Sequence, residues 1–273
     1  MKVKFYGTRG SIPVCEREFQ EFGGNTSCVQ VTFSDGKIAV LDAGSGIRNL
    51  GKDLIRKEHE QFDDIFIALS HFHWDHIQGF PFFQPAYDVR RHFTISAMGK
   101  GRNKTSLRSI FERQMQKEFF PVRLDGMGAS FKFDSPTEES LIYGNVRVKA
   151  SLHYHPGGAY GYRMENEGKV LVYVTDVEHG DSLDTAVIDL AEGADLLIHD
   201  AQYTTEELKE RRGWGHSSWQ QAVEVARLAG VRQLALTHHD PDHTDEFLLH
   251  IEKQCQERFA EAFLARERME ITL

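Results

Sequence analysis

Residues 70–76 read Ser-His-Phe-His-Trp-Asp-His and directly follow the apolar run 65–69. Bringing three imidazoles and a carboxylate to the end of a buried strand is costly unless something pairs those groups. A divalent cation is the simplest partner. His71 and His73 are two positions apart, so an extended chain points both rings to one side. Asp75 and His76 follow in a turn that Gly79 and Pro81 cut short. Nitrogen and oxygen donors of this kind suit zinc-like ions.

The rest of the chain must supply a core around that site. With 273 residues, 40% hydrophobic and 27% charged, it is expected to fold as one globular domain over residues 1–273. A formal net charge of -9 lacks the broad basic surface of a nucleic-acid binder, so no stable nucleic-acid partner is expected. A small anionic substrate would find its positive charge at the metal. Cys15, Cys28 and Cys255 are sparse and form no CxxC pair, as in a reducing compartment. Residues 1–6 alternate like a strand rather than a signal peptide, and no run approaches the roughly 20 apolar residues of a membrane span. The expected location is the cytoplasm, with no membrane partner.

Periodicity predicts strands over 28–33 and 37–41, joined at Ser34-Asp35-Gly36, then a helix over 47–59. Strands follow at 65–69 and 93–97. Residues 99–120 are basic and amphipathic, with Lys100, Arg102, Lys104, Arg108, Arg113 and Lys117. They read as a helix with a solvated face, or as a rim over the site. A half-buried strand over 146–152 runs into His153-Tyr154-His155. A hairpin over 160–164 and 169–175 turns at Asn166-Glu167-Gly168. A strand over 196–198, a helix over 217–229 closed by Gly230 and a strand over 234–236 come next. The last helix, from Thr244, is expected to bury Leu248, Ile251, Cys255, Phe259 and Phe263. The two halves share an order of elements, which predicts two sheets packed face to face with helices outside.

Strand after strand ends in a ligand-type residue: Asp42, His71 and His73, His155, Asp176, Asp200 and His238. Strand ends are where α/β folds place their sites. Asp42 reads as a partner behind the ligands or a turn-former, and His239 as a neighbour of a ligand or a solvent-facing residue. His153 competes with His155. His59, His92, His179 and His250 join no constellation and read as surface.

This ordered set resembles the metallo-β-lactamase fold. His71-x-His73-x-Asp75-His76 looks like its signature, and His155, Asp176 and His238 match its later motifs in order across nearly the whole chain. Di-iron flavoproteins of that fold carry Glu where His73 stands, and zinc β-lactamases usually carry Cys where Asp176 stands. His155 with Gly161-Tyr162-Arg163, residues 197–203 and Gly215-His216-Ser217 are similar to the phosphodiesterase branch that includes tRNase Z. That enzyme usually has Glu where Asp200 stands.

The resemblance implies an α/β fold, an αββα four-layer sandwich of two mixed β-sheets. It implies that His71, His73, His155 and Asp176 hold one ion, and Asp75, His76, Asp176 and His238 a second. Zinc is the expected metal, although manganese and iron accept the same ligands. The expected reaction is hydrolysis of a small phosphodiester, such as a cyclic nucleotide, by a hydroxide bridging the two ions. Asp75 would orient that nucleophile, His216 with Ser217 would meet phosphate oxygens at a helix start, and His216 would protonate the leaving group. Asp200 would orient His216. The alternatives are a tRNA 3′-end endonuclease, a thioester or lactone hydrolase, and a metal-stabilised interaction module. Dimers are common in the resembling family, and Phe80, Phe82, Phe83 and Tyr87 offer an apolar contact for one.

Overall fold

Alternation builds the first sheet: in strand β1 (Lys2–Gly7) Val3 and Phe5 are buried while Lys2 is exposed. The computed structural model describes residues 1–56, 64–99, 106–138 and 140–273. Strand β1 pairs antiparallel with β2 (Cys28–Thr32), and β2 with β3 (Ile38–Leu41) across the predicted turn. From β3 onward the pairing is parallel, through β4 (Asp64–Ala68), β5 (His92–Ser96) and β6 (Ser130–Asp134). Parallel neighbours need crossovers. Helices α1 (Ile47–Arg56), α2 (Trp74–Ile77) and α3 (Leu107–Gln114) lie along these.

The second sheet starts as an antiparallel meander of β7 (Ser140–Tyr143), β8 (Val146–His153), β9 (Ala159–Asn166) and β10 (Lys169–Val174). It continues in parallel with β11 (Leu196–Asp200), β12 (Gln233–Thr237) and β13 (Ala262–Leu264). Helices α4 (Thr185–Ala191), α5 (Thr205–Glu210), α6 (Trp219–Leu228) and α7 (Asp245–Arg258) fill the connections. Finally β14 (Glu270–Thr272) returns to the first sheet, with Ile271 opposite Val3.

Among the described residues this gives two seven-stranded mixed sheets. One apolar layer lies between them, with Phe5, Val31 and Phe66 meeting Tyr162, Leu171 and Ile198. A second lies under α1, α2 and α3, and a third under α4, α6 and α7. The αββα sandwich is therefore the one expected. No helix among the described residues is long and apolar enough to cross a membrane.

Two expectations change, and a third is decided between its alternatives. The last helix stops at Arg258, Phe259 is extended with φ −147°, and Phe263 lies in β13 rather than on the helix. An open parallel edge beside β12 accepts residues 262–264, and that pairing outcompetes another turn of helix. Phe80 and Phe83 are fully buried in the core, which leaves Phe82 as the exposed phenyl ring of the apolar contact expected for a dimer. In α3, Leu107 and Phe111 are buried while Arg108 and Glu112 pair at 2.7 Å on the exposed side, the solvated-face arrangement. Lys100, Arg102 and Lys104 of the basic segment lie outside the described residues, as does the predicted end of the first helix, including His59.

One buried-edge ion pair ties α7 to the second sheet. Glu252 accepts from Leu264 N at 2.9 Å and from both Arg266 terminal nitrogens at 2.7 Å. Burial pushes this carboxyl up, but the Arg266 hydrogen bonds outweigh it and hold it below its ordinary value of 4.5. A depressed folded value means the stabilisation is full above pH 4.5 and disappears as acid titrates the folded carboxylate. Glu252→Gln is therefore expected to lower unfolding stability by about 1–2 kcal/mol at pH 7. In denaturant titrations the gap from the parent should narrow progressively as pH falls below 4.5, and a gap unchanged by acid would show that charge is not involved.

Candidate metal centre

The parallel strands deliver the candidate ligands to one edge. His71 and His73 follow β4, α2 carries Asp75 and His76, and His155, Asp176 and His238 follow β8, β10 and β12. Asp42, Asp176 and His238 have φ of 60°, 56° and 62°. This left-handed conformation is uncommon outside glycine and is tolerated best by Asp, Asn and His. Here it turns three side chains away from the strand direction and into the crevice, a strain of the kind found at functional sites.

Asp176 stands at the centre. Its Oδ1 lies 3.1 Å from His76 Nε2 and 3.2 Å from His238 Nε2, while its Oδ2 lies 3.6 Å from His71 Nε2 and 3.7 Å from His155 Nε2. His73 Nδ1 is 2.9 Å from His155 Nε2. Asp75 Oδ2 is 3.2 Å from both His76 Nε2 and His238 Nε2. Two donor sets result, His71/His73/His155/Asp176 and Asp75/His76/Asp176/His238, and Asp176 belongs to both. A third set, Asp176/Asp200/His216/His238, is also close enough to hold an ion.

The donors fit cations better than they fit one another. His71 Nε2 and His76 Nε2 are buried and make no hydrogen bond, although His76 Nε2 sits within 3.2 Å of two carboxylates. Buried polar atoms without a partner are costly, and a cation between them would take these lone pairs. Four of the five histidines have the opposite ring nitrogen held. His71 Nδ1 meets Ser70 Oγ at 3.0 Å, His76 Nδ1 meets Asp42 Oδ2 at 2.9 Å, His155 Nδ1 meets Gly215 O at 2.8 Å and His238 Nδ1 meets Gln202 Oε1 at 2.9 Å. Such partners fix ring orientation and leave Nε2 toward the centre. Asp42 also accepts from Ser70 N, Ser70 Oγ and Tyr173 OH, so it buttresses the ligands from behind.

Charge follows the same division. Burial and neighbouring imidazoles lower His71, His73 and His155 below the usual histidine value, which keeps them neutral as ligands must be. Burial would raise Asp75 and Asp176, yet the surrounding histidines hold both well below the carboxylate range. Burial would lower His238, but Asp176 and Asp75 push it up to about 9. The two carboxylates demand positive charge in this pocket, from protons or from metal.

Asp200 and His216 sit beside this centre. His216 Nδ1 is 2.9 Å from Asp200 Oδ2, and its ring lies 4.9 Å from the His238 ring and 5.3 Å from that of His155. Asp200 also accepts from Ser217 N at 2.8 Å and Asp176 N at 3.1 Å. The connection requires glycine at 215: its φ is +92°, and a Cβ would come within 2.2 Å of His155 Nδ1. Glu178 accepts from Gly215 N at 2.7 Å and locks the same turn.

Several sequence expectations are corrected here. Ser217 does not meet substrate: it is fully buried, its N–H donates to Asp200 and its hydroxyl donates to Val177 O. Helix α6 starts only at Trp219 with Ser218 as its cap, so His216 precedes the helix rather than opening it. His153 turns away to Thr175 O at 3.0 Å. His239 is buried, bonded to Ala265 O at 2.9 Å with its edge against Phe22, and faces neither solvent nor the donor sets. His179 is buried as well, stacked on His199 at 5.4 Å, while His92 and His250 are exposed as expected. Ser70, Tyr173, Glu178 and Gln202 were not singled out from the sequence. Their sequence signal is only that of ordinary polar residues, because partners such as Asp42 for Ser70 and Tyr173, and His238 for Gln202, come from other segments.

The family model described as Beta-lactamase superfamily domain matches residues 39–239. The chain is 26% identical over 284 residues to a ribonuclease Z from Haloarcula marismortui, covering 87% of this chain and 86% of that protein. Human tRNase Z, short form, superposes with a TM-score of 0.69 at 22% identity, covering 100% of this chain and 99% of that one. A diphosphatase from the PhnP family gives a TM-score of 0.72 at 18% identity, covering 100% and 97%. At such identities the two structures bear on the fold alone.

The ribonuclease Z relative overturns the expectation that nucleic acid is not a partner. Net charge does not exclude such a partner, because a site able to hold cations would attract phosphate whatever the charge of the whole surface. Family match, sheet topology and the order of the histidine motifs agree, and the chain belongs to the β-lactamase superfamily as a metallo-β-lactamase-fold hydrolase.

Proposed function

We propose that residues 1–273 act as one catalytic unit that hydrolyses an RNA phosphodiester with the help of two divalent ions, zinc in the first instance. The relative named ribonuclease Z supports RNA over the small diester expected from the sequence. The observation that carries the reading is the placement of Asp176, one oxygen toward His76 and His238 and the other toward His71 and His155. A carboxylate shared in this way suits two cations held close together, since it offsets part of their repulsion. When bound, such ions polarise phosphoryl oxygens and supply a nucleophile at neutral pH.

The chain's own residues do the rest. His71, His73 and His155 hold one position, and Asp75, His76 and His238 the other. Ser11 N donates to Asp75 Oδ2 at 2.9 Å, which fixes this carboxylate where it can orient the attacking water. Burial would raise Asp200, but its pairing with His216 lowers it, so it stays ionised and orients that ring through Nδ1. His216 Nε2 makes no hydrogen bond among the described residues, and a proton there can pass to the leaving oxygen.

Zinc- or manganese-loaded protein is expected to cleave a precursor tRNA bearing a 3′ trailer and to turn over bis-p-nitrophenyl phosphate. A cyclic nucleotide cleaved in place of the RNA would exclude RNA as the substrate. Turnover of a thioester or lactone with none of any diester would overturn the reading entirely.

A further inference from the structure

Three of the most exposed aromatic rings among the described residues grow from the segments that hold the donors. Trp74 is 64% exposed and stands between His73 and Asp75; Tyr154 is 58% exposed and stands next to His155; Trp214 is 61% exposed, two residues before His216. Consecutive Cα atoms are about 3.8 Å apart, so the roots of these rings lie within one or two residues of the centre.

The loops are also tied to one another. His73 Nδ1 meets His155 Nε2 at 2.9 Å, which joins the Trp74 loop to the Tyr154 loop. His155 Nδ1 meets Gly215 O at 2.8 Å, and Glu178 accepts from Gly213 N and Gly215 N while its own N–H donates to Tyr154 O at 3.0 Å. Trp74, Tyr154 and Trp214 therefore stand on segments tied to one another by hydrogen bonds, a rim of exposed rings beside the donors and the exposed His73. Large apolar rings left in water at such positions call for an occupant.

We propose that this rim stacks the unpaired bases flanking the scissile phosphate, so that the substrate is a single-stranded segment of RNA. The inference rests on the phosphodiesterase reading given above. A diester seated at the donors sends its two nucleosides outward in different directions, and rings on three separate loops meet them. Every base has a π-face, so stacking recognises nucleic acid without the basic surface that a chain of charge -9 lacks. Recognition of RNA through splayed, stacked bases is the general mode for single-stranded targets.

The test compares a diribonucleotide with its abasic analogue, which has the same sugar–phosphate link and no bases, on metal-loaded protein. Wild type should favour the diribonucleotide by about 10-fold or more in kcat/KM, through KM. That preference should collapse in Trp74→Ala and Trp214→Ala and return in the phenylalanine variants. A second readout uses a diribonucleotide with a non-hydrolysable methylenephosphonate link. It should quench indole fluorescence, and the abasic version should not. Of the three tryptophans Trp219 is buried, so the signal reports Trp74 and Trp214.

Equal kcat/KM for the two substrates with no quenching overturns the rim. Loss of exposed indole signal on raising protein concentration, with a dimer in sedimentation, overturns it in favour of a second copy as the occupant. Quenching by the base-bearing ligand without hydrolysis of either substrate supports the rim and refutes the phosphodiesterase reading instead.

Discussion

Asp176→Ala is expected to lose metal at both positions, with content falling from about two ions per chain to less than one and kcat/KM falling by about 10³-fold or more. The reason is geometric. Each oxygen of this carboxylate belongs to a different donor set, so removing it takes an anion from both. Losing an outer partner of a metal ligand typically costs roughly 10–100-fold. Loss of the shared carboxylate should exceed that. Asp176→Asn separates charge from shape: the amide fills the same space but leaves the histidines without their counter-charge. Metal analysis by inductively coupled plasma mass spectrometry and activity on the same samples decide the matter. Two ions retained in Asp176→Ala would refute the bridging role.

His216→Ala has the second largest expected effect and a different signature. Both ions should remain, KM should move little, and kcat on an RNA diester should fall about 10²–10⁴-fold, the usual contribution of general acid catalysis. The ring lies beside the donors without belonging to the two principal sets, and Asp200 holds it at 2.9 Å. A leaving group decides whether the proton matters. An RNA alkoxide needs one, whereas p-nitrophenolate does not, so bis-p-nitrophenyl phosphate should lose less than about 10-fold in the same variant. Equal losses on both substrates would assign His216 to positioning rather than proton transfer. Loss of an ion would show instead that the third donor set, Asp176/Asp200/His216/His238, is the one used.

What could be read from the chain before its structure depended on how local the signal was. A strand followed at once by a polar turn is a local pattern, and it exposed His71, His73, His155, Asp176, Asp200 and His238 as a group. The same locality located the hairpins and α6. It failed for β6, β7 and β14, which are short, partly exposed strands; β6 and β14 are defined by pairing with the distant β5 and β1. It failed for β13 as well: residues 262–264 continue an apolar spacing that reads as helix until an open strand edge claims them.

Orienting partners were out of reach for the same reason. Gln202 lies 36 residues from His238 and Glu178 lies 37 from Gly215, and each is an unremarkable polar residue in its own segment; Asp42, 34 residues from His76, was the exception, legible as a partner behind the ligands because it ends a strand. Ser217 shows the opposite error. Its place beside His216 suggested a phosphate contact, yet tertiary packing turns its hydroxyl inward to Val177 O.

The sequence by itself therefore determined the donor types, their order and the sandwich that carries them, because side-chain chemistry and period are properties of neighbouring residues. Only the tertiary structure decided how Asp176, which the resemblance placed in both donor sets, divides its two oxygens between the histidines. That is a matter of which oxygen points where, and it arises when separate parallel strands end at the same edge and a left-handed residue turns the carboxylate between them.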